Sequence, residues 1–436
     1  MTKYVRPKGT FDILPELYDI EDVWKESSRW HYLESTMCAL AREYAYQEIR
    51  TPIFEQTELF VREVGETSDI VSKEMYTFLD RGGRSMSLRP EGTAGVIRAF
   101  VQGDLQHLGT IHKFFYIGPF FRYDRPQAGR YRQLHQFGVE AIGNRDPEQD
   151  FEVIALLHEL YRRLGLKDLT LLINTLGDPS SRAKYKEALL TYLRPHFSSL
   201  SKDSQKRFTT NPLRILDSKD SSERVLLENA PSITDFLSPE SKAHFSALCA
   251  LLTEQKIPFT IDPKLVRGLD YYNYTVFEIV SELLGAQNTV GAGGRYDGLP
   301  SSLGGSDLPC VGFSTGMERI LHLMEKQNAT CPPKTGPFVT MISLGEKGKK
   351  MAFDFLYELR RNHIPSDMIV VKKIYKGLQL AERIHSTFSV IIGERELAQG
   401  CAHLKAMQTR KTQKVNFATL VTYLKKEFCH GLQKNA

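Results

Sequence analysis

The stretch "EKQNATCPPKTGP", residues 325–337, divides this chain more firmly than any other. Pro332, Pro333 and Pro337 lack a backbone N–H, so neither a helix interior nor a central strand continues through them. The helical apolar pattern of "ERILHLM" stops before this stretch, and a different pattern starts after it. A chain of 436 residues also exceeds what one hydrophobic core usually serves. At least two domains are expected, with residues 327–335 as the linker.

Charge follows the same division. From Lys334 onward there are eighteen Lys and Arg against eight Asp and Glu, a local +10 that leaves −5 for residues 1–333 out of the net +5. A basic domain on a mildly acidic body suggests a polyanionic partner, nucleic acid first, against the plainer reading of a solvated basic surface. Beyond the linker, "FVTMISL", "DMIVV" and "FSVIIG" are short apolar runs set between the amphipathic "KKMAFDFLYELRRNHI", "IYKGLQLAERIH" and "FATLVTYLKKEF". With "HLKAMQTRKTQKV" as one further strand, the pattern predicts a small α/β domain with a mixed sheet over 336–436.

The first 333 residues read differently. After a helix around "EDVWKESSRWHYLESTMCALAREYA", strands are predicted at "YQEIRTPIFE", "MYTFLD", "SMSLRP", "HKFFYIGPFFRY", "RQLHQFGVEAIG", "DYYNYTVFEIV" and "NTVGAGGRYDG". Closely spaced strands with few helices argue for an α+β fold on a largely antiparallel sheet. Residues 177–258 are more helical and polar, and read as an insertion between 1–176 and 259–326. No run approaches the ~20 apolar residues of a spanning helix. The N-terminal residues carry no apolar leader core, so a cytoplasmic location is expected. Six cysteines stand singly, without CxxC spacing, and predict core thiols rather than a structural metal.

Four stretches could carry chemistry. "PFFRYDRPQAGRYRQLHQFGVE", residues 119–140, gathers Arg122, Arg125, Arg130 and Arg132 in a hairpin-like unit. Permanently charged planar guanidinium groups suit phosphate oxygens; the alternative is pairing with the hairpin's own Asp124 and Glu140. "LRPEGTAG", residues 88–95, offers Glu91 for an ammonium group and Thr93 for a carboxylate, but a carboxylate before a helix is equally a cap. "GAGGRYDGL", residues 291–299, has neither Rossmann nor Walker spacing and reads as close backbone approach. "VRGLDYYN", residues 266–273, sets a cation, a carboxylate and two phenols at the mouth of a strand.

Taken together, these pieces resemble the class II aminoacyl-tRNA synthetases, and within them the histidyl-tRNA synthetase family. "YAYQEIRTPIFEQTELF", "FFRYDRPQAGRYRQLHQFGVE" and "VGFSTGMERI" are similar to the three class motifs, and "LVRGLDYYN" and "GAGGRYDG" to the two histidyl signatures. The resemblance implies an antiparallel sheet flanked by helices, a helical insertion, a C-terminal α/β anticodon-binding domain and a homodimer with Pro52 on its dimer-forming strand. It implies ATP with Mg²⁺, L-histidine and tRNA(His) as ligands, and a histidyl-adenylate intermediate.

Position by position, the resemblance implies that Arg122 grips the α-phosphate and the histidine carboxylate, and that Arg319 holds the terminal phosphate. Arg267 would stand at the α-phosphate where other class II enzymes place a metal ion. Glu91, Thr93 and Gln136 would hold the amino-acid head and carboxylate. Glu140 and Tyr272 would bond the two imidazole nitrogens, with Tyr271 lining the pocket. Arg125, Gln127 and Arg130 would meet the tRNA acceptor end. Leu134 stands where relatives carry a phenylalanine that stacks on adenine, which costs the stacking geometry, about 1 kcal/mol. A histidine-sensing paralogue is the main rival; it would lack both the tail domain and the arginines that this sequence keeps.

Overall fold

Residues 112–121 and 133–142 alternate in a way that decides the architecture. Phe115, Phe137, Val139 and Ala141 fall on one face and are buried in the main apolar core. Tyr116, Phe120, Leu134, Gln136 and Glu140 fall on the other, as the two-residue period of a strand requires. Both faces of the sheet are buried, and the second carries the polar Gln136 and Glu140 among its apolar side chains.

The computed structural model describes residues 4–15, 22–65, 68, 70–125, 129–218, 220–285, 288–332 and 336–435. The described residues divide into two compact units, one running up to Leu14 and from Asp22 to Cys331 and the other holding the described residues from Pro332 onward. Strands of the first unit are β1 (Gln47–Glu48), β2 (Phe54–Gln56), β3 (Thr77–Leu79), β4 (Ser85–Leu88), β5 (His112–Phe121), β6 (Gln133–Ile142), β7 (Thr170–Thr175), β8 (Thr260–Ile261), β9 (Asn273–Val280), β10 (Thr289–Arg295) and β11 (Cys310–Gly316). Eight of them form one sheet in the order β1-β5-β6-β11-β10-β9-β7-β8, and β2-β4-β3 form a small side sheet. Pairing is antiparallel from β5 through β7, with parallel pairs only at the two edges.

The run "YQEIRTPIFE" is two short strands rather than one, because Thr51 and Pro52 interrupt it. Strand β7 escapes the sequence pattern; its "TLLINT" is short and follows a helix, Pro147–Arg163, of much stronger periodicity. The 177–258 stretch carries helices Pro179–Leu193, Lys202–Thr210, Ser221–Leu227 and Pro239–Glu254. Its last helix contributes Phe245, Leu248 and Leu252 to the main core. Tyr185, Leu189 and Leu193 of the first share a second core with Ile97, Phe100 and Tyr296.

Arg295 anchors the centre of this unit. Its side chain is wholly buried, 2.7 Å from Asp150, and donates to the Asn144 and Asp146 carbonyls at 3.1 Å. His244 of the last helix lies 3.4 Å from the same Asp150. Buried guanidinium is tolerated because each charge finds partners.

In the second unit β12 (Val339–Ser343), β13 (Ser366–Val370), β14 (Phe388–Ile392), β15 (Cys401–Ala406) and β16 (Thr412–Asn416) form a sheet ordered β13-β12-β14-β15-β16. The first three are parallel and the last two antiparallel. The expected mixed α/β sheet is present. "HLKAMQTRKTQKV" is a hairpin rather than a single strand, turning through Met407–Lys411 with Arg410 at φ 61°.

Candidate functional site

The pocket lies on the face of β5, β6, β10 and β11 that carries Gln136 and Glu140. Glu140 is at its floor, 1% exposed, with its Oε1 accepting from the Thr93 hydroxyl at 2.8 Å and its Oε2 from the Tyr296 hydroxyl. Two strand glycines make the space. A Cβ at Gly312 would stand 2.1 Å from the Glu140 carboxylate, and one at Gly138 would stand 2.3 Å from the Tyr116 ring. In the glycine-rich stretch of β10, a Cβ at Gly293 would stand 2.1 Å from the Gly312 carbonyl, the close backbone approach that its composition suggested.

Burial pushes the Glu140 carboxyl up to about 8, against the opposing pull of the Tyr296 and Thr93 hydroxyls. Glu91 is also raised by burial. Its two oxygens accept from the Thr93 and Ala94 amides at 2.8 and 2.9 Å, so it caps the helix Thr93–Gln102. The capping alternative read from the sequence is realised, and each oxygen keeps a second lone-pair direction for a ligand.

Tyr271 and Tyr272 pack ring to ring at 4.7 Å, and both face Tyr296 at 5.6 and 6.4 Å. Burial pushes the Tyr272 phenol up to about 12, against the nearby Arg267. A register jump between the pairs Gly294–Val276 and Arg295–Asn273 carries these phenols over the strand mouth, with Tyr274 held at φ 43°. Bulges of this kind re-aim side chains beside active sites. Asp270 serves the structure around the pocket, accepting from Asn211 Nδ2 at 2.6 Å and lying against Gly65.

The arginines divide by partner. Arg267 donates to Glu278 at 2.8 Å, and Glu278 also accepts from the Thr289 hydroxyl. Arg122 donates through Nε to the Pro90 carbonyl at 2.9 Å; burial lowers its pKa, with Glu74 and Glu91 offsetting this. Arg319, in the first turn of the helix Met317–Lys326, donates to the Gly129 carbonyl at 3.2 Å and is lowered by burial and then by Arg130 and Arg122. Three guanidinium groups that repel one another in partial burial suit an anion. Arg130 pairs with Asp124 at 2.9 Å, the sequence's alternative reading, whereas Glu140 meets hydroxyls instead of arginine. Arg125 is exposed, Leu134 is half-buried beside Phe120 and Tyr116, and Gln127 lies outside the described residues.

Three buried polar groups here lack a hydrogen bond of sound geometry: Gln136 Oε1, Tyr116 Oη and Arg267 Nε. Buried polar atoms are nearly always satisfied, so these three are groups that a ligand or water can pair with. Tyr116 and Tyr296 were missed by sequence reasoning. Tyr296 stood inside "GGRYDG" and was legible; Tyr116 was not, because only strand register sets it opposite Gly138.

Comparison with known proteins gives one answer across the chain. Residues 19–320 match the family model described as histidyl-tRNA synthetase, and 339–427 that described as anticodon binding domain. The chain is 53% identical over 424 residues to the histidine–tRNA ligase of Protochlamydia amoebophila, covering 97% of this chain and 100% of the relative. With that of Moorella thermoacetica it shares 48% over 422 residues, 97% and 98% of the two chains. The crystal structure of apo S. aureus histidyl-tRNA synthetase superposes with a TM-score of 0.81 at 38% identity, covering 97% of this chain and 100% of that one.

Proposed function

The chain belongs to the histidyl-tRNA synthetase family, and we propose from that premise that the pocket around Glu140 is where histidine is recognised and activated. The protein is a histidine–tRNA ligase: it joins histidine to ATP as histidyl-adenylate, releases pyrophosphate, and passes the histidyl group to tRNA(His). The observation that carries the site assignment is the set of unsatisfied buried groups on Gln136, Tyr116 and Arg267, beside a buried carboxyl within one polar pocket.

Adenylate formation is in-line attack of a carboxylate on the α-phosphate, so positioning and charge neutralisation dominate. Arg122 and Arg267 flank the α-phosphate and Arg319 the terminal phosphates; Gln136 orients the histidine carboxylate. Glu278 fixes the guanidinium plane of Arg267 and leaves its Nε for the ligand. Glu91 and Thr93 receive the amino-acid head. Glu140 and Tyr272 bond the imidazole nitrogens, with Tyr271, Tyr296 and Tyr116 closing the walls. The proton that burial holds on Glu140 near neutral pH lets it pair with imidazole by giving up that proton or by donating it, and an amino acid without ring nitrogens offers no group to exchange it with. That mismatch is worth roughly 10⁴ in discrimination.

Mg²⁺ enters bound to ATP. Leu134 offers an aliphatic face for adenine; Arg125, Gln127 and Arg130 serve the tRNA acceptor end. The basic tail supports tRNA binding, with Tyr375 exposed among Lys372, Lys373 and Lys376 for unstacked bases. A homodimer is supported by the apolar side chains bared around the side sheet, Phe54 at 52% and Leu79 at 70%. We place the insertion at 177–258, the linker at 327–335 and the protein in the cytoplasm. ATP–pyrophosphate exchange across the amino acids tests the reading: histidine alone should drive it, and exchange with another amino acid but not histidine would overturn it.

A further inference from the structure

The N-terminal segment "RPKGTFDILP", residues 6–15, is absorbed by none of the roles above. The Gly9 carbonyl accepts from the Arg132 amide at 2.7 Å, and the Arg132 carbonyl accepts from the Arg122 amide at 2.9 Å. Two residues on, the Phe11 ring sits edge-on to Trp24 and to Tyr131, both at 4.8 Å, and within 6.2 Å of His135.

Beneath Phe11, residues 129–135 are buttoned to the helix Met317–Lys326 at three points. The Gly129 carbonyl accepts from Arg319 Nε at 3.2 Å. Tyr131 Oη meets His322 Nε2 at 3.0 Å. His135 meets Glu318 through its ring at 2.9 Å and through its backbone N–H at 2.8 Å. Burial holds His322 down to about 4, so it is neutral near pH 7 and its ring adds no charge beside the arginines. Arg122 and Arg319 are thus attached to one zipper of aromatic and polar contacts, and Phe11 with the Gly9 carbonyl closes its outer side.

We propose that residues 6–15 are a positioning strap for ATP: Phe11 is a positioning residue that, through Tyr131 and the Gly9–Arg132–Arg122 ladder, fixes the spacing of Arg122 and Arg319. The inference rests on the assignment of those arginines to the phosphates. Losing both edge-on aromatic contacts of Phe11 should loosen the arginines without touching the Glu140 carboxyl, whose partners are Thr93 and Tyr296.

Both tryptophans of the chain, Trp24 and Trp30, lie in this cluster, so their fluorescence reports on it directly. The test compares wild type, Phe11→Ala, Phe11→Tyr and Arg319→Ala by ATP–pyrophosphate exchange and by tryptophan fluorescence during ATP titration. Phe11→Ala should raise the KM for ATP roughly tenfold and leave that for histidine within about twofold, with Phe11→Tyr near wild type and the ATP-dependent fluorescence change lost in the alanine variant. If both KM values rise together, or neither moves in a folded protein, the strap has no role in ATP positioning. If Arg319→Ala also leaves ATP binding unchanged, the arginine assignment fails; if it weakens ATP binding and Phe11→Ala does not, only the strap proposal fails.

Discussion

Replacing Glu140 by Gln should make the enzyme worse and the protein more stable, by an amount that depends on pH. Burial raises this carboxyl from 4.5 to about 8, so the folded protein retains a proton that the unfolded chain has released. A carboxyl raised in this way contributes its stability fully below about pH 4.5 and loses it as pH climbs towards 8. Glutamine is neutral at every pH and mimics the protonated acid, with an oxygen for one hydroxyl partner and an NH₂ for the other. From the raised value, the stability advantage of Glu140→Gln over wild type should grow by about 3 kcal/mol between pH 5.5 and pH 8. Urea unfolding followed by circular dichroism at those two pH values measures it, without histidine. In the same variant the KM for histidine should rise roughly 10- to 100-fold, the value of a lost charged hydrogen bond, with that for ATP almost unchanged. Parallel pH dependence in the two proteins would refute the reasoning: the Thr93 and Tyr296 hydroxyls would then outweigh burial, and the free pocket would hold a carboxylate.

Arg267→Ala should reduce turnover in pyrophosphate exchange by roughly 10²-fold, the usual value of a donor aimed at developing charge, while histidine affinity measured by calorimetry holds; equal losses in both would make Arg267 a binding residue. Arg295→Met should lower stability by about 3–5 kcal/mol because it leaves Asp150 buried and unpaired, and a near-neutral result in thermal unfolding would show that His244 suffices for that carboxylate. Leu134→Phe should tighten ATP by about 1 kcal/mol, roughly fivefold in KM; an unchanged KM would mean that adenine lies elsewhere. Deleting residues 336–436 should spare pyrophosphate exchange and abolish efficient tRNA charging, and joint loss of both would tie the second unit to the folding of the first.

Much of the proposed site was legible because its chemistry is local in sequence. Arg267 with Tyr271 and Tyr272, or Glu91 with Thr93, sit together in short motifs whose residue types announce phosphate and amino-acid contacts. The strand alternation of 112–121 and 133–142 announced the sheet, and the proline break announced the second unit. Other features were hidden because they exist only across the fold. Tyr116 faces Gly138 through strand register, Glu278 meets Arg267 across a turn, and Phe11 reaches Tyr131 across about 120 residues of chain.

By itself, then, the sequence determined which groups the proposed site has to offer and most of the strands and helices that carry them, since side-chain chemistry and backbone period are properties of neighbouring residues. Tertiary structure alone decided their state. Glu140 is raised by burial among Thr93, Tyr296 and Gly312, Glu91 turns its oxygens to a helix start, and Arg130 is held by Asp124. Burial and partner choice depend on what packs around a group from distant parts of the chain, and only the folded sheet brings those parts together.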